Sequence, residues 1–153
     1  MSDATHALEN EAARAELAKL VNRLDAATCA FEVSPGWTIA TTLCHLAFWD
    51  QRALFLLRQW QVSDIVEAPK LDPLSVNSIN HAVNEIARHV PATGAMKLAL
   101  DSAEAVDAFV AGIDAELAEK IRAAGHERYL RRSLHRREHL QKLSSLIPPR
   151  QKD

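Results

Sequence analysis

The chain has 153 residues, a formal net charge of −2, and 48% hydrophobic against 25% charged residues, which fits one soluble globular domain over 1–153 with a sizeable core. Four glycines and six prolines leave few breakers, and abundant Ala and Leu with few β-branched residues predict an all-α fold. Two cysteines, Cys29 and Cys44, exclude a disulfide framework and fit a cytoplasmic protein with reduced thiols.

The opening MSDATHALEN lacks the basic-then-apolar shape of a signal peptide. A first helix is predicted from about Ala4 to Ala30, with Leu17, Leu20, Val21, Leu24 and Phe31 on one stripe. Ser34-Pro35-Gly36 breaks the chain, and Thr38 is a suitable N-cap for a second helix reaching about Trp60. That helix is apolar nearly all round and belongs in the middle of a bundle. Its most apolar part, Ile39 to Leu57, contains His45, Asp50 and Arg52, so it reads as a buried helix and no membrane span. The segment from Gln61 to Val76, with Pro69 and Pro73, is long enough to run the length of a bundle and make helices 2 and 3 parallel neighbours.

Helix 3 is expected from about Asn77, interrupted or kinked at Pro91 and Gly94 and resuming from Ala95 to Gly112. A short piece from Asp114 to Ala124 ends at Gly125, a suitable C-cap, and the last helix runs from about His126 to Ile147. The sum is a four-helix bundle with a long crossover between helices 2 and 3, with room for a short extra helix before the last. Charge is unevenly spread: Asp101 to Glu119 carries only acidic groups, whereas Lys120 to Lys142 carries eight Lys or Arg against Glu127 and Glu138. Adjacent acidic and basic helices most simply attract one another or line opposite walls of a groove.

His135 and His139 are spaced i,i+4, so both imidazoles occupy one helix face and can reach a single ion. They continue into a line with Leu143 and Leu146, which turns them towards the core. His45 shares a face with Trp49, Arg52 and Leu56, where little water is available to satisfy two ring nitrogens. Spacing alone leaves two readings open: a His₃ metal site, or three histidines that never meet. Cys44 has apolar neighbours and no base at helical spacing, so it reads as an inert packed thiol. His6, His81, His89 and His126 have no partner at ligand spacing, and Trp49, Phe48, Phe55 and Trp60 read as core or dimer contacts.

Trp37-Thr38, then Cys44-His45-Leu46-Ala47-Phe48-Trp49-Asp50, then Asn80, then His135-Arg-Arg-Glu-His139-Leu140 together resemble the DinB-like superfamily. That superfamily includes mycothiol-dependent maleylpyruvate isomerases and bacillithiol transferases. The resemblance covers nearly the whole chain in order and spacing. It implies a four-helix bundle and a divalent metal, zinc or nickel by imidazole preference, on His45, His135 and His139. It further implies activation of a low-molecular-weight thiol (mycothiol, bacillithiol or glutathione) for transfer to an electrophile or for isomerisation. Arg52 follows His45 by two turns on the same side and is a candidate for binding a carboxylate of the thiol or substrate, although pairing with Asp50 or an acid of helix 3 is the favoured reading. Asn80 is a candidate for orienting a ligand and could equally be a helix-start residue. Asp50 is a weaker candidate for an outer-shell partner of His45.

Two other classes compete. A non-catalytic bundle would act in dimerisation or protein interaction, since helix 2 has apolar surface to spare and a homodimer is expected on the same ground. A nucleic-acid surface on Arg128 to Lys142 ranks last, because no helix-turn-helix backs the arginines and Tyr129 is the lone aromatic there.

Overall fold

A computed structural model describes residues 3–149. The chain runs α1 (Asp3–Val21), α2 (Ala26–Cys29), β1 (Glu32–Ser34), β2 (Trp37–Thr38), α3 (Ile39–Ser63), α4 (Pro73–Ala87), α5 (Ala92–Ala111), α6 (Ala115–Ala123), a 3₁₀ turn (Glu127–Tyr129) and α7 (Ser133–Leu146). Four of these, α1, α3, α5 and α7, make the bundle, so the all-α expectation holds. Among the described residues no helix is long and apolar enough to cross a membrane.

The expected first helix is split. After Val21 the ladder tightens, with Arg23 and Leu24 amides reaching back only three residues, to Leu20 and Val21. Asp25 then accepts from the Thr28 amide in a capping box and begins α2. Of the predicted stripe, Leu17, Leu20 and Val21 are buried, whereas Phe31 is 40% exposed. The Ser34-Pro35-Gly36 break is the turn of a small antiparallel hairpin, β1 against β2. Gly36 takes φ +80° there, a left-handed value that other residues adopt at a cost. The two strands were not legible in the sequence, being only three and two residues long.

Thr38 caps α3 as expected, with a reciprocal bond to Thr41. Asp72 caps α4 and Pro73 takes its first turn, so this helix starts four residues before Asn77. α4 folds back along α3: its end meets the start of α3 through Asn84 and Arg88 donating to the Gly36 carbonyl, and Asn80 meets Trp49 farther along. Of the two expected effects, Pro91 interrupts helix 3 and does not kink it: α4 ends at Ala87. Pro91 opens α5, which runs parallel to α3, and Gln51 donates to Ser102 between them. The long crossover therefore joins the second and third bundle helices and carries α4 on its way.

α7 lies parallel to α1, with His6 beside Glu127, Asn10 beside Ser133 and Arg23 at the Ile147 carbonyl. The predicted last helix begins seven residues later than expected because the buried Asn10 side chain intervenes. It donates to the Leu130 carbonyl at 2.8 Å and accepts from the Ser133 amide at 2.9 Å, ending one element and starting the next.

The core falls into two apolar clusters. One joins Leu17, Leu20, Leu43 and Leu46 to Ala95, Ala99, Ala103 and Leu143. The second joins Leu54, Leu57 and Trp60 to Val106, Val110, Ile121 and Leu130. The alanines, four apart on α5, let the neighbouring helices approach closely. Between the clusters lies a layer of buried charge. Arg136, fully buried, binds both Asp107 oxygens (2.7 and 2.9 Å) and Asp50 (3.1 Å). Arg132 takes the other Asp50 oxygen at 2.8 Å, and Arg14 reaches Asp107 at 3.2 Å. Four bundle helices are thus tied in one register by paired charges. Asp107–Arg136 joins the acidic and basic stretches between helices as anticipated, and Glu116–Lys120 and Glu119–Arg122 join them within α6; Arg131, Arg132 and Arg137 pair with acids of α1 and α3.

Candidate metal centre

Each imidazole is placed by a different part of this framework. His45 stands seven residues into α3, in the second turn after the Thr38 cap. His135 and His139 project from α7, whose rotation is fixed by the neighbouring Arg132 and Arg136 at Asp50 on α3. Because α3 and α7 are antiparallel, residue 45 faces 135–139 while residue 50 faces 132–136. The predicted line along α7 holds through Leu143, which is fully buried, but Leu146 is 37% exposed and Leu140 and Ile147 take its place inside.

The three rings converge. His45 Nε2 and His135 Nε2 lie 3.2 Å apart, and ring centroids are separated by 4.8 Å (His45–His139), 5.0 Å (His135–His139) and 5.2 Å (His45–His135). One ligand nitrogen from each lies within 4.8 Å of the others. Tetrahedral ligands at zinc–nitrogen bonds of about 2.0–2.1 Å are separated by roughly 3.3 Å, so small side-chain rotations suffice to close on an ion.

Electrostatics favours neutral imidazoles. Burial, with His139 alongside, pushes the His45 pKa down to about 4, although Asn80 beside it acts the other way. Burial and the Arg132 charge push His135 down to about 2. Burial and Lys142 lower His139 as well. Neutral rings keep lone pairs for a cation at neutral pH. The Nδ1 atoms of His45 and His135 are buried without a hydrogen-bond partner. Three uncharged imidazoles, one buried and two half-buried, with a ligand nitrogen from each within 4.8 Å of the others, fit a divalent ion better than they fit one another.

Beside the imidazoles opens a cavity of about 540 Å³. Both further candidates from the sequence, Arg52 and Asn80, line it. Asn80 is no helix-start residue: it lies midway along α4 and accepts from the Trp49 indole at 3.0 Å. Arg52 pairs with neither Asp50 nor an acid of α4 or α5. Its guanidinium donates to the Tyr129 hydroxyl at 3.0 Å and sits 5.5 Å from the Trp49 ring centre. Asp50 is likewise occupied by Arg132 and Arg136 and not by His45.

Sequence reasoning missed Tyr129 and Arg132 as lining residues, because both fall where a continuous helix was expected. Trp60 is core, Trp49 lines the cavity, and Phe55 is 61% exposed. Cys44 is packed, and burial pushes its thiol up. His6 is buried against Glu127 at 2.9 Å, and His126 stacks on Trp60.

The family model described as the DinB superfamily matches residues 9–144. The chain belongs to the DinB superfamily. No curated protein and no solved structure matches it. The match spans both histidine-bearing helices and the crossover between them. The DinB-superfamily chain can hold a metal ion on this triad.

Proposed function

We infer that the protein is a divalent-metal-dependent enzyme that activates a low-molecular-weight thiol for transfer to an electrophile or for isomerisation. The observation that supports this most directly is the triad of uncharged imidazoles opening onto a cavity of substrate size. An ion bound by three neutral ligands keeps its full charge and an open position, and there favours thiolate over thiol at neutral pH.

The chain's own residues supply the rest. His45, His135 and His139 remain unprotonated and hold the site; Trp49, Leu71 and Val76 give the cavity apolar walls that exclude water from a bound substrate. Arg52 and Asn80 border the same space and orient the thiol or its partner. Zinc or nickel suits the ligand set. Mycothiol, bacillithiol and glutathione are the thiol candidates.

The test is spectroscopic and then kinetic. Cobalt-substituted protein should develop sulfur-to-metal charge-transfer absorption on adding each thiol, and His135→Ala should not. Thiol consumption with monochlorobimane then reads turnover. A metal-loaded protein showing neither response to any of the three thiols contradicts the proposal.

A second reading, association through an apolar face, draws on Phe55 and Val62, i and i+7 on α3 and 61% and 87% exposed. Sedimentation equilibrium tests it: a homodimer disrupted by Phe55→Ser supports it, and a monomer at all concentrations refutes it.

A further inference from the structure

Three arginines, Arg52, Arg128 and Arg132, line the cavity against one carboxylate, Glu138. Two of them are already answered. Arg132 is bound to Asp50 at 2.8 Å, and Arg128 faces Glu138 at 3.4 Å. Arg52, half-buried, is in no ion pair with any described residue. Its one hydrogen-bond partner among the described residues is the Tyr129 hydroxyl at 3.0 Å, so most of the five guanidinium donors remain unfilled by them. The Tyr129 oxygen accepts from Arg52, which leaves its hydroxyl hydrogen free to donate elsewhere. The lining is positive before any ion enters, and a divalent ion on three neutral imidazoles makes it more so.

We propose that Arg52 and Tyr129 form an anion-binding pair, and that the small molecule taken by this cavity carries a carboxylate held by them. This deepens the thiol-dependent reading and rests on its assignment of the cavity as the substrate site. One free guanidinium matches the single charge and two oxygens of a carboxylate. Arg52 lies two turns beyond His45, about 10 Å along the helix axis at 1.5 Å per residue. The ligand therefore has its carboxylate at one end, its reacting atom at the other, and an apolar body against Trp49, Leu71 and Val76.

The carboxylate can belong to the thiol or to the electrophile, and calorimetric titration separates the two. The probes are benzoate and benzamide, nearly isosteric and differing in charge, titrated into the full chain both metal-free and zinc-loaded. Benzoate is expected to bind about tenfold tighter than benzamide, as hydrogen bonds to charged groups imply. Arg52→Gln, with its fold checked by circular dichroism, removes that preference. Tyr129→Phe, which keeps the ring against Trp60, weakens benzoate several-fold and leaves benzamide unchanged. Benzoate displaced by 6-mercaptohexanoate, whose extended chain approaches the span from His45 to Arg52, but not by 6-mercaptohexanol assigns the carboxylate to the thiol; benzoate binding alongside both assigns it to the electrophile. Equal affinity for both probes, or a preference that survives Arg52→Gln, overturns the pair. If zinc does not load, the thiol-dependent reading falls by itself, and the metal-free titration still reads Arg52 and Tyr129.

Discussion

Replacing Arg136 with Met removes the one cation shared by Asp50 and Asp107 while roughly keeping side-chain volume. The guanidinium is fully buried and also donates to the carbonyls of Asn10 (3.3 Å) and Ala103 (3.4 Å), so no water stands ready to replace it. Breaking a buried pair by removing one partner costs about 3–5 kcal/mol, because the remaining charge is stranded. At about 2–4 °C per kcal/mol for a domain of this size, the midpoint falls by roughly 6–20 °C. Urea unfolding followed by tryptophan fluorescence measures the free energy, and a thermal scan the midpoint. A second handle is pH. Burial already raises the Asp107 carboxyl above its usual range despite Arg136. Losing the cation raises it further, so the penalty is present at neutral pH and is relieved as pH falls through the folded-state pKa and the carboxyl protonates. The gap between wild type and Arg136→Met should therefore narrow on acidification. A loss below about 0.5 kcal/mol, within the range of ordinary surface changes, would show that the buried charge layer does not hold the helices in register.

Three further outcomes follow from the same geometry. His45 and His135 have folded-state pKa values below that of an unfolded histidine, so metal-free protein should lose stability as pH falls below about 6.5, continuing down to about 4 for His45; a flat denaturation midpoint from pH 7 to 5 would contradict their burial as neutral rings. Thr38→Ala removes the capping-box hydroxyl that starts α3 and should cost about 0.5–2 kcal/mol in urea titrations while leaving the ligand residues themselves intact. Asn80→Ala removes the acceptor of the half-buried Trp49 indole and should cost about 0.5–1.5 kcal/mol, with a shifted tryptophan emission; unchanged emission would mean the indole is not held there.

The parts of this architecture written in local sequence were readable without coordinates. Thr38 and the apolar run behind it mark α3, and i,i+4 spacing puts His135 and His139 on one face. What the residues alone could not supply was the meeting of those two rings with His45, which depends on α3 and α7 being antiparallel neighbours. That arrangement is fixed by Asp50 and Arg136, whose long-range pairing leaves no periodic trace. The start of α7 was misplaced for a similar reason: Asn10, 120 or more residues away, ends the 3₁₀ turn and begins the helix. Arg52 looked like a partner for Asp50 because the two are close in sequence. On a helix, residues two apart point in different directions, and Arg132 and Arg136 had better access to that carboxylate.

Much of the basic segment is engaged within the protein. Arg132 and Arg136 are buried on Asp50, while Arg131 is held by Glu9 at 2.6 Å and Arg137 lies 3.5 Å from Glu16. The basic segment is spent largely on the protein itself.

The central claim is that His45, His135 and His139 bind one ion together. Plasma mass spectrometry on untagged protein, beside His135→Ala, tests it most directly. The account predicts one divalent ion per chain in the wild type and loss of that ion in the variant, with the helical circular-dichroism spectrum retained. Absence of stoichiometric metal after reconstitution with zinc and with nickel, or a variant that keeps its full complement, would contradict it.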